Sequence, residues 1–359
     1  MQGVLSGEKV IVAGLAADSI EFKGYGRKGG KGARAASDGR LTLSLEEAAF
    51  LLEAGKIAIT KEGKIEAELT LEDFLTHALE IFPNFGARYI VYKDLKERGY
   101  VVQPGERDFL LYPRGAKPGE KPARYFIRIL SERDFLALKE LEDLLALSHN
   151  MRKEPVIAVV DDESDVTYYE VKDARFDGAE KRYEQEGGER EWKGTDKAFL
   201  FGDKVISWDA DLAVHLHENY FYGKLTKEKR LLLSLVEAAY LIKNGLLELN
   251  FEQFVAHATA MESDFMDKYA VYSDLKDKGL ILKTGFKFGS YFRVYRATNQ
   301  KHSLALIHVL PREHVFSMPE LARAVRLAHG VKKRMIFSFK VEGGEGSRVK
   351  YVDLGRMKL

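Results

Sequence analysis

There is no cysteine among the 359 residues. Disulfides and thiolate metal sites are therefore excluded, and a cytoplasmic location is the expectation. No apolar run approaches the ~20 residues that a membrane-spanning helix needs, and the opening Met1-Gln-Gly-Val-Leu-Ser-Gly-Glu-Lys has no signal-peptide pattern. Charge of one sign is not in surplus either: 56 Lys and Arg stand against 55 Asp and Glu, a net +1. A nucleic-acid binder usually carries excess positive charge, so any basic surface here must be local. Histidines number nine, and their spacing offers no metal site. His215 and His217 are two apart without a third ligand pattern, and in a strand they would share a face. These two, with His77, His149, His257, His308, His314 and His329, are read as structural. His149 and His329 fall at equivalent places of a repeat and suggest a common packing role.

What is present is a globular composition, 45% apolar and 31% charged, long enough for two domains or more. An internal repeat organises it. Ser44-Leu-Glu-Glu-Ala-Ala-Phe-Leu-Leu-Glu-Ala-Gly55 matches Ser234-Leu-Val-Glu-Ala-Ala-Tyr-Leu-Ile-Lys-Asn-Gly245. Tyr89-Ile-Val-Tyr-Lys-Asp-Leu matches Tyr269-Ala-Val-Tyr-Ser-Asp-Leu, and Leu147-Ser-His-Asn-Met-Arg-Lys153 matches Leu327-Ala-His-Gly-Val-Lys-Lys333. These last two pairs share one offset of 180 residues. Solenoid repeats are far shorter, so the chain carries two copies of one module.

Each copy shows the same order of elements. A short β segment precedes an amphipathic helix that stops at Gly55 or Gly245, as a C′ glycine would. Two helices follow over about 70–99 and 250–279, then β-rich segments, one more helix (about 134–150 and 318–330) and final strands. The pattern predicts an α+β fold. Its expected domains are a first repeat at 1–172 (small N-terminal subdomain 1–68, second subdomain 69–172), a charged linker at 173–195, and a second repeat at 196–359 (subdomains 196–248 and 249–359). Arg27, Lys28, Lys31 and Arg34 fall in a Gly/Ala-rich stretch read as a surface loop.

Three blocks of the second copy carry chemistry: Gly285-Phe-Lys-Phe-Gly-Ser-Tyr-Phe-Arg-Val-Tyr295, Lys301-His302-Ser303, and Val325-Arg-Leu-Ala-His-Gly-Val-Lys-Lys333-Arg334. Taken singly, a strand tyrosine packs, a loop histidine is solvated, and a lysine after a helix complements its dipole. Taken together, in order and within these flanks, the blocks resemble the archaeal tRNA-splicing endonucleases (tRNA-intron lyases) of the homodimeric two-repeat type, over most of the chain.

The resemblance implies a fold and a site. The fold is two tandem copies of a module with a small helical/β N-terminal subdomain and a nuclease-like mixed-sheet subdomain. The implied activity is excision of introns from precursor tRNA at bulge-helix-bulge motifs without metal or other cofactor. The 2′-OH attacks, leaving 2′,3′-cyclic phosphate and 5′-OH ends. Tyr295 is implied as general base, His302 as general acid and Lys333 as the cation for the transition state. A free tyrosine titrates near ~10, and a neighbouring cation favours its phenolate. A histidine donates a proton close to neutrality. From the residues alone, base and acid could be exchanged.

The first copy keeps Tyr112 and Lys153, but Pro122 stands where His302 falls, so this copy is read as inactive and structural. The family implies that Arg326 and Arg348 sandwich a bulged base; by their charge, Lys287, Arg293, Lys332 and Arg334 are expected to add a local cationic patch for phosphates. It also implies that the acidic loop Asp161-Asp162-Glu163-Ser-Asp165 docks into a basic cleft of a partner, giving a homodimer. Three other readings stay open on the residues. One is a Mg²⁺-dependent nuclease, for which Lys333 lacks a flanking acid pair. Another is a non-catalytic RNA-binding subunit. The third is a DNA-binding dimer, for which no recognition motif is present.

Overall fold

The computed structural model of the chain describes residues 1–13, 24–28, 40–116, 118, 120–176, 196–343 and 346–359. Lys31, Arg34 and most of the 173–195 linker lie outside the described residues.

The repeated helices follow from their ends. Ser44 and Ser234 each cap a helix (Leu45–Glu53 and Leu235–Lys243) with a reciprocal capping box, the hydroxyl accepting from the third helical N–H while Glu47 or Glu237 reaches back. Gly55 and Gly245 follow with φ of 64° and 75°, the left-handed turn that ends a helix at low cost to glycine. Each helix packs beside a small antiparallel-rich sheet. Arg27–Lys28 belongs to that sheet in the first copy, pairing with Thr42 and Leu41, so the predicted surface loop is in part a strand. In the second copy, Ala210–Tyr220 is a helix capped by the Asp209 carboxylate. His215 and His217 therefore sit on a helix, where a spacing of two puts them on different faces rather than on the shared face expected of a strand.

The second subdomains merge into one sheet. Ten strands run in the order Ile281–Thr284, Phe292–Tyr295, Ala305–Val309, Arg334–Gly343, Gly346–Met357, Val166–Asp173, Glu154–Val160, Tyr125–Ser131, Asp108–Leu111, Val102–Pro104. The first five belong to the second copy and the last five, in mirrored order, to the first. The seam is antiparallel, with Val171 opposite Leu354. A second seam pairs Phe135–Ala137 with Val315–Ser317, Leu136 opposite Phe316. Forming that strand delays the following helix to Leu138–Met151, later than the expected start near 134.

Adjacent strand residues point to opposite faces, and both faces are apolar. Ile307 and Ile336 meet the helix Phe265–Asp277 on one side; Leu306 and Phe337 meet the helices Leu138–Met151 and Met318–Gly330 on the other. This second core takes residues from both copies, so the copies fold against each other as one body. The observed class is α+β with two copies of a two-part module, as expected.

Candidate active site

Strand register builds the site. Tyr295 is the last residue of Phe292–Tyr295 and lies opposite Ile281. Val294 pairs with Ala305, and the Leu304 N–H donates to the Val294 carbonyl at 2.7 Å. His302 thus leads into the neighbouring strand at the end where Tyr295 finishes. Ala305 pairs in parallel with Arg334, which puts Lys333 at the same end of the next strand. Two strand spacings, about 10 Å of backbone, separate the tyrosine from the lysine, a gap their side chains together span.

The helix Met318–Gly330 aims Lys333. Leu321, Val325 and Ala328 form its buried stripe at helical spacing. Lys332 then turns left-handed (φ 56°), and the Lys333 N–H donates to the Ala328 carbonyl at 2.9 Å. A left-handed lysine costs roughly 1 kcal/mol, so the turn is held by its surroundings. Tyr295 is 8% exposed, with the Arg293 guanidinium 5.8 Å from its ring centroid. His302 is exposed and Lys333 half-buried. Among the described residues no hydrogen bond or ion pair occupies the phenol, the imidazole or the ammonium. Nor does any group of three His, Asp or Glu residues converge as for a metal ion among the described residues.

Of the supporting cations, Lys287 is exposed in the short 3₁₀ turn Phe286–Phe288. Arg293 donates to the Thr284 carbonyl at 2.8 Å. Arg334 is not available to phosphate: it forks onto Asp353 at 2.8 and 2.9 Å and pairs with Glu170 of the first copy. Burial pushes the Asp353 carboxyl up. Glu170 also feels burial, but Lys172 and Arg334 outweigh it and hold its carboxyl below the usual range. Arg334→Ala leaves Asp353 partly buried without its cation and Glu170 with Lys172 alone. It is expected to destabilise the chain by about 1–3 kcal/mol in urea unfolding, and an unchanged midpoint would show the pairs to be idle.

The first copy repeats the scaffold and not the site. Tyr112 stands opposite Val101 as Tyr295 stands opposite Ile281, but its hydroxyl donates to Gln103 Oε1 at 2.9 Å. The Arg124 N–H donates to the Leu111 carbonyl, the counterpart of Leu304 to Val294, so Pro122 takes the place of His302. Arg152 keeps the left-handed turn (φ 53°) and delivers Lys153 as Lys332 delivers Lys333.

Arg326 lines a cavity of about 390 Å³ with Arg323, His329, Arg356 and the first copy's Tyr169. Sequence reasoning missed Arg323, Arg356 and Tyr169. The cross-strand pairing of Tyr169 with Arg356 brings them together, and no local pattern announces it. Arg348 is not near: it pairs with Val341, eight residues along the strand from Arg356, or about 26 Å. His149 and His329 are exposed in the last turns of their helices, so the expected packing role gives way to one beside the helix carbonyl ends.

The loop Asp161–Asp165 is an exposed hairpin turn. Asp161 Oδ1 accepts from the N–H groups of Glu163 (3.1 Å) and Asp165 (2.8 Å), and Asp162 pairs with Arg133 at 2.5 Å. On the second copy, a cleft of about 480 Å³ opens between the two subdomains, with Lys204, Lys224, Lys268 and Lys283 against Glu237 and Glu262. Burial pushes the Lys283 ammonium down, and it donates to the Gly223 carbonyl at 3.0 Å.

Known proteins share this plan. The family model of the tRNA intron endonuclease N-terminal domain matches residues 1–75 and 197–254, and that of its catalytic C-terminal domain matches 85–168 and 265–351. The chain is 41% identical to a tRNA-splicing endonuclease of Methanococcoides burtonii and 42% identical to one of Methanosarcina acetivorans, covering all of both chains in each case. A third, from Natronomonas pharaonis, is 34% identical over 94% of this chain and 93% of its own. With both domains matched twice and relatives similar from end to end, the chain belongs to the tRNA intron endonuclease family of RNA-cleaving enzymes.

Proposed function

We propose that this chain excises introns from precursor tRNA by cutting RNA at bulge-helix-bulge motifs without metal. Tyr295 takes the proton of the 2′-OH. The 2′-oxygen bonds to phosphorus as the bond to the 5′-oxygen breaks. His302 protonates the departing oxygen, and Lys333 offsets the added charge on the phosphorane. Products are a 2′,3′-cyclic phosphate and a 5′-OH. One observation supports the reading: three residues suited to these tasks lie at one end of three adjacent strands with no other side-chain partner among the described residues, while in the first copy the tyrosine is engaged and proline stands at the place of the histidine. The test is an end-labelled precursor incubated with the chain in EDTA. Two cuts with cyclic-phosphate ends are expected; cutting only after Mg²⁺ addition would sink the mechanism.

The working unit in this reading is a homodimer in which each acidic loop enters the lysine-lined cleft of the other chain. The lysines outnumber the acids there, and loop and cleft sit on different copies, which suits a two-fold exchange. Reversing Asp162, Glu163 and Asp165 to Lys is expected to raise the dimer dissociation constant about 10-fold or more, since like charges would face across the contact. Sedimentation reads this, and Lys224→Glu with Lys283→Glu on the same chain should restore pairing. A dimer of unchanged strength in the reversed loop would refute the docking.

A further inference from the structure

The first copy has lost cutting chemistry yet keeps a cavity where the site would be. It has a volume of about 750 Å³ and is lined by Lys121, Arg124, Arg152, Lys153 and Lys172, with Pro122 among them. Two acids, Glu154 and Asp173, share the lining. Arg124 is neutralised by Glu154 at 2.9 Å, and Lys172 pairs with Glu170. The other three cations are uncommitted: among the described residues Lys121 and Arg152 make no ion pair, and Lys153 reaches only the Met151 carbonyl at 3.4 Å. This cavity is separate from the Arg326 cavity, with which it shares no lining residue.

The backbone speaks for retention. Arg152 and Lys332 hold the same left-handed angle, and the next N–H donates 2.9 Å to the helix carbonyl five residues back in both copies. A left-handed arginine is disfavoured, and no histidine stands where His302 does to use it; the histidine in the lining, His149, belongs to the last turn of the helix, at the place His329 holds in the second copy. What the turn still does is present two consecutive cations at the end of the sheet. Cations on a preset turn beside an open cavity are what a phosphodiester requires, and a site with proline at the place of the acid His302 holds RNA without cutting it.

We propose that this cavity is a non-cleaving site for a phosphodiester segment of the same precursor RNA, so that each chain grips its substrate at a second point through Lys121, Arg152 and Lys153. The inference rests on the function proposed above. The test is therefore run in a His302→Ala chain, which on that reading binds RNA and does not cut it. Dissociation constants for labelled precursor tRNA are measured against salt, with and without Lys121→Ala, Arg152→Ala and Lys153→Ala together. Loss of up to three phosphate contacts is expected to weaken binding about 10- to 100-fold near 0.1 M salt and to reduce the slope of log K against log salt by about 2–3. The charge-conserving set Lys121→Arg, Arg152→Lys, Lys153→Arg should bind as the parent does, which a merely structural role for these residues would not require. An unchanged constant and slope in the alanine set, with the parent still binding, would overturn the second grip and leave the catalytic reading intact. Failure of the His302→Ala parent to bind precursor at all would overturn both.

Discussion

His302→Ala is expected to slow single-turnover cleavage of a precursor by about 10²- to 10⁴-fold, the usual contribution of one proton-transferring side chain, while leaving RNA affinity and folding unchanged. The imidazole is exposed and contacts no other described side chain through a hydrogen bond or ion pair, so its removal leaves no cavity and no buried group stranded. The loss should fall on the chemical step. An RNA with sulfur in place of the scissile 5′-oxygen tells acid from base. A thiolate leaves readily, being the anion of a group that titrates near ~8.5, and has little need of a proton. The variant should therefore recover most of its rate on the sulfur substrate. Tyr295→Phe, having lost the base, should stay slow on both. Equal rates for wild type and His302→Ala on the ordinary RNA would remove the histidine from the mechanism. Recovery of Tyr295→Phe instead would exchange the two roles.

Much of this was legible in the chain because the signals are local or repeated. Ser44 and Ser234, each three residues before a glutamate, and Gly55 and Gly245 mark both ends of a helix within twelve residues. The constant offset of 180 residues between copies places Pro122 where the second copy has His302. Non-local features were invisible. That Arg334 is consumed by Asp353 and Glu170 depends on a strand of the other copy lying alongside. That Phe135–Ala137 is a strand depends on Val315–Ser317 being its partner. The helix Ala210–Tyr220 is signalled by Asp209, whose carboxylate accepts from the Asp211 and Leu212 N–H groups and starts it, and not by the two histidines within it.

Arg88→Ala is expected to cost about 3–5 kcal/mol, the penalty for stranding a buried charge, read as a lowered urea midpoint of the N-terminal copy. Arg88 is 3% exposed and so is its partner Glu46; Arg88 Nε donates to Glu46 Oε1 at 2.7 Å. Its other nitrogens donate to the carbonyls of Gly105 (2.7 Å) and Glu106 (3.2 Å), and its plane lies 5.0 Å from the Phe109 ring centroid. Helix, helix and hairpin turn are pinned by one side chain. Because an ion pair taken from water is only weakly favourable in itself, Glu46→Leu combined with Arg88→Met should return most of the loss; a double variant as unstable as Arg88→Ala would show that the pair, and not the unpaired acid, sets the cost. The position also differs between the two copies. In the second copy Lys268 stands where Arg88 does, and Val236 where Glu46 does, at the same spacing that separates Ser44 from Ser234. Both line the open cleft. The first copy fills this corner with the buried Arg88–Glu46 pair and carries the acidic loop; in the second, Lys268 pairs with Glu262 and Asp264 and the corner opens into the cleft. A chain that had two open clefts and two acidic loops could polymerise head to tail. On the docking proposed above, one of each, on opposite copies, favours a closed pair.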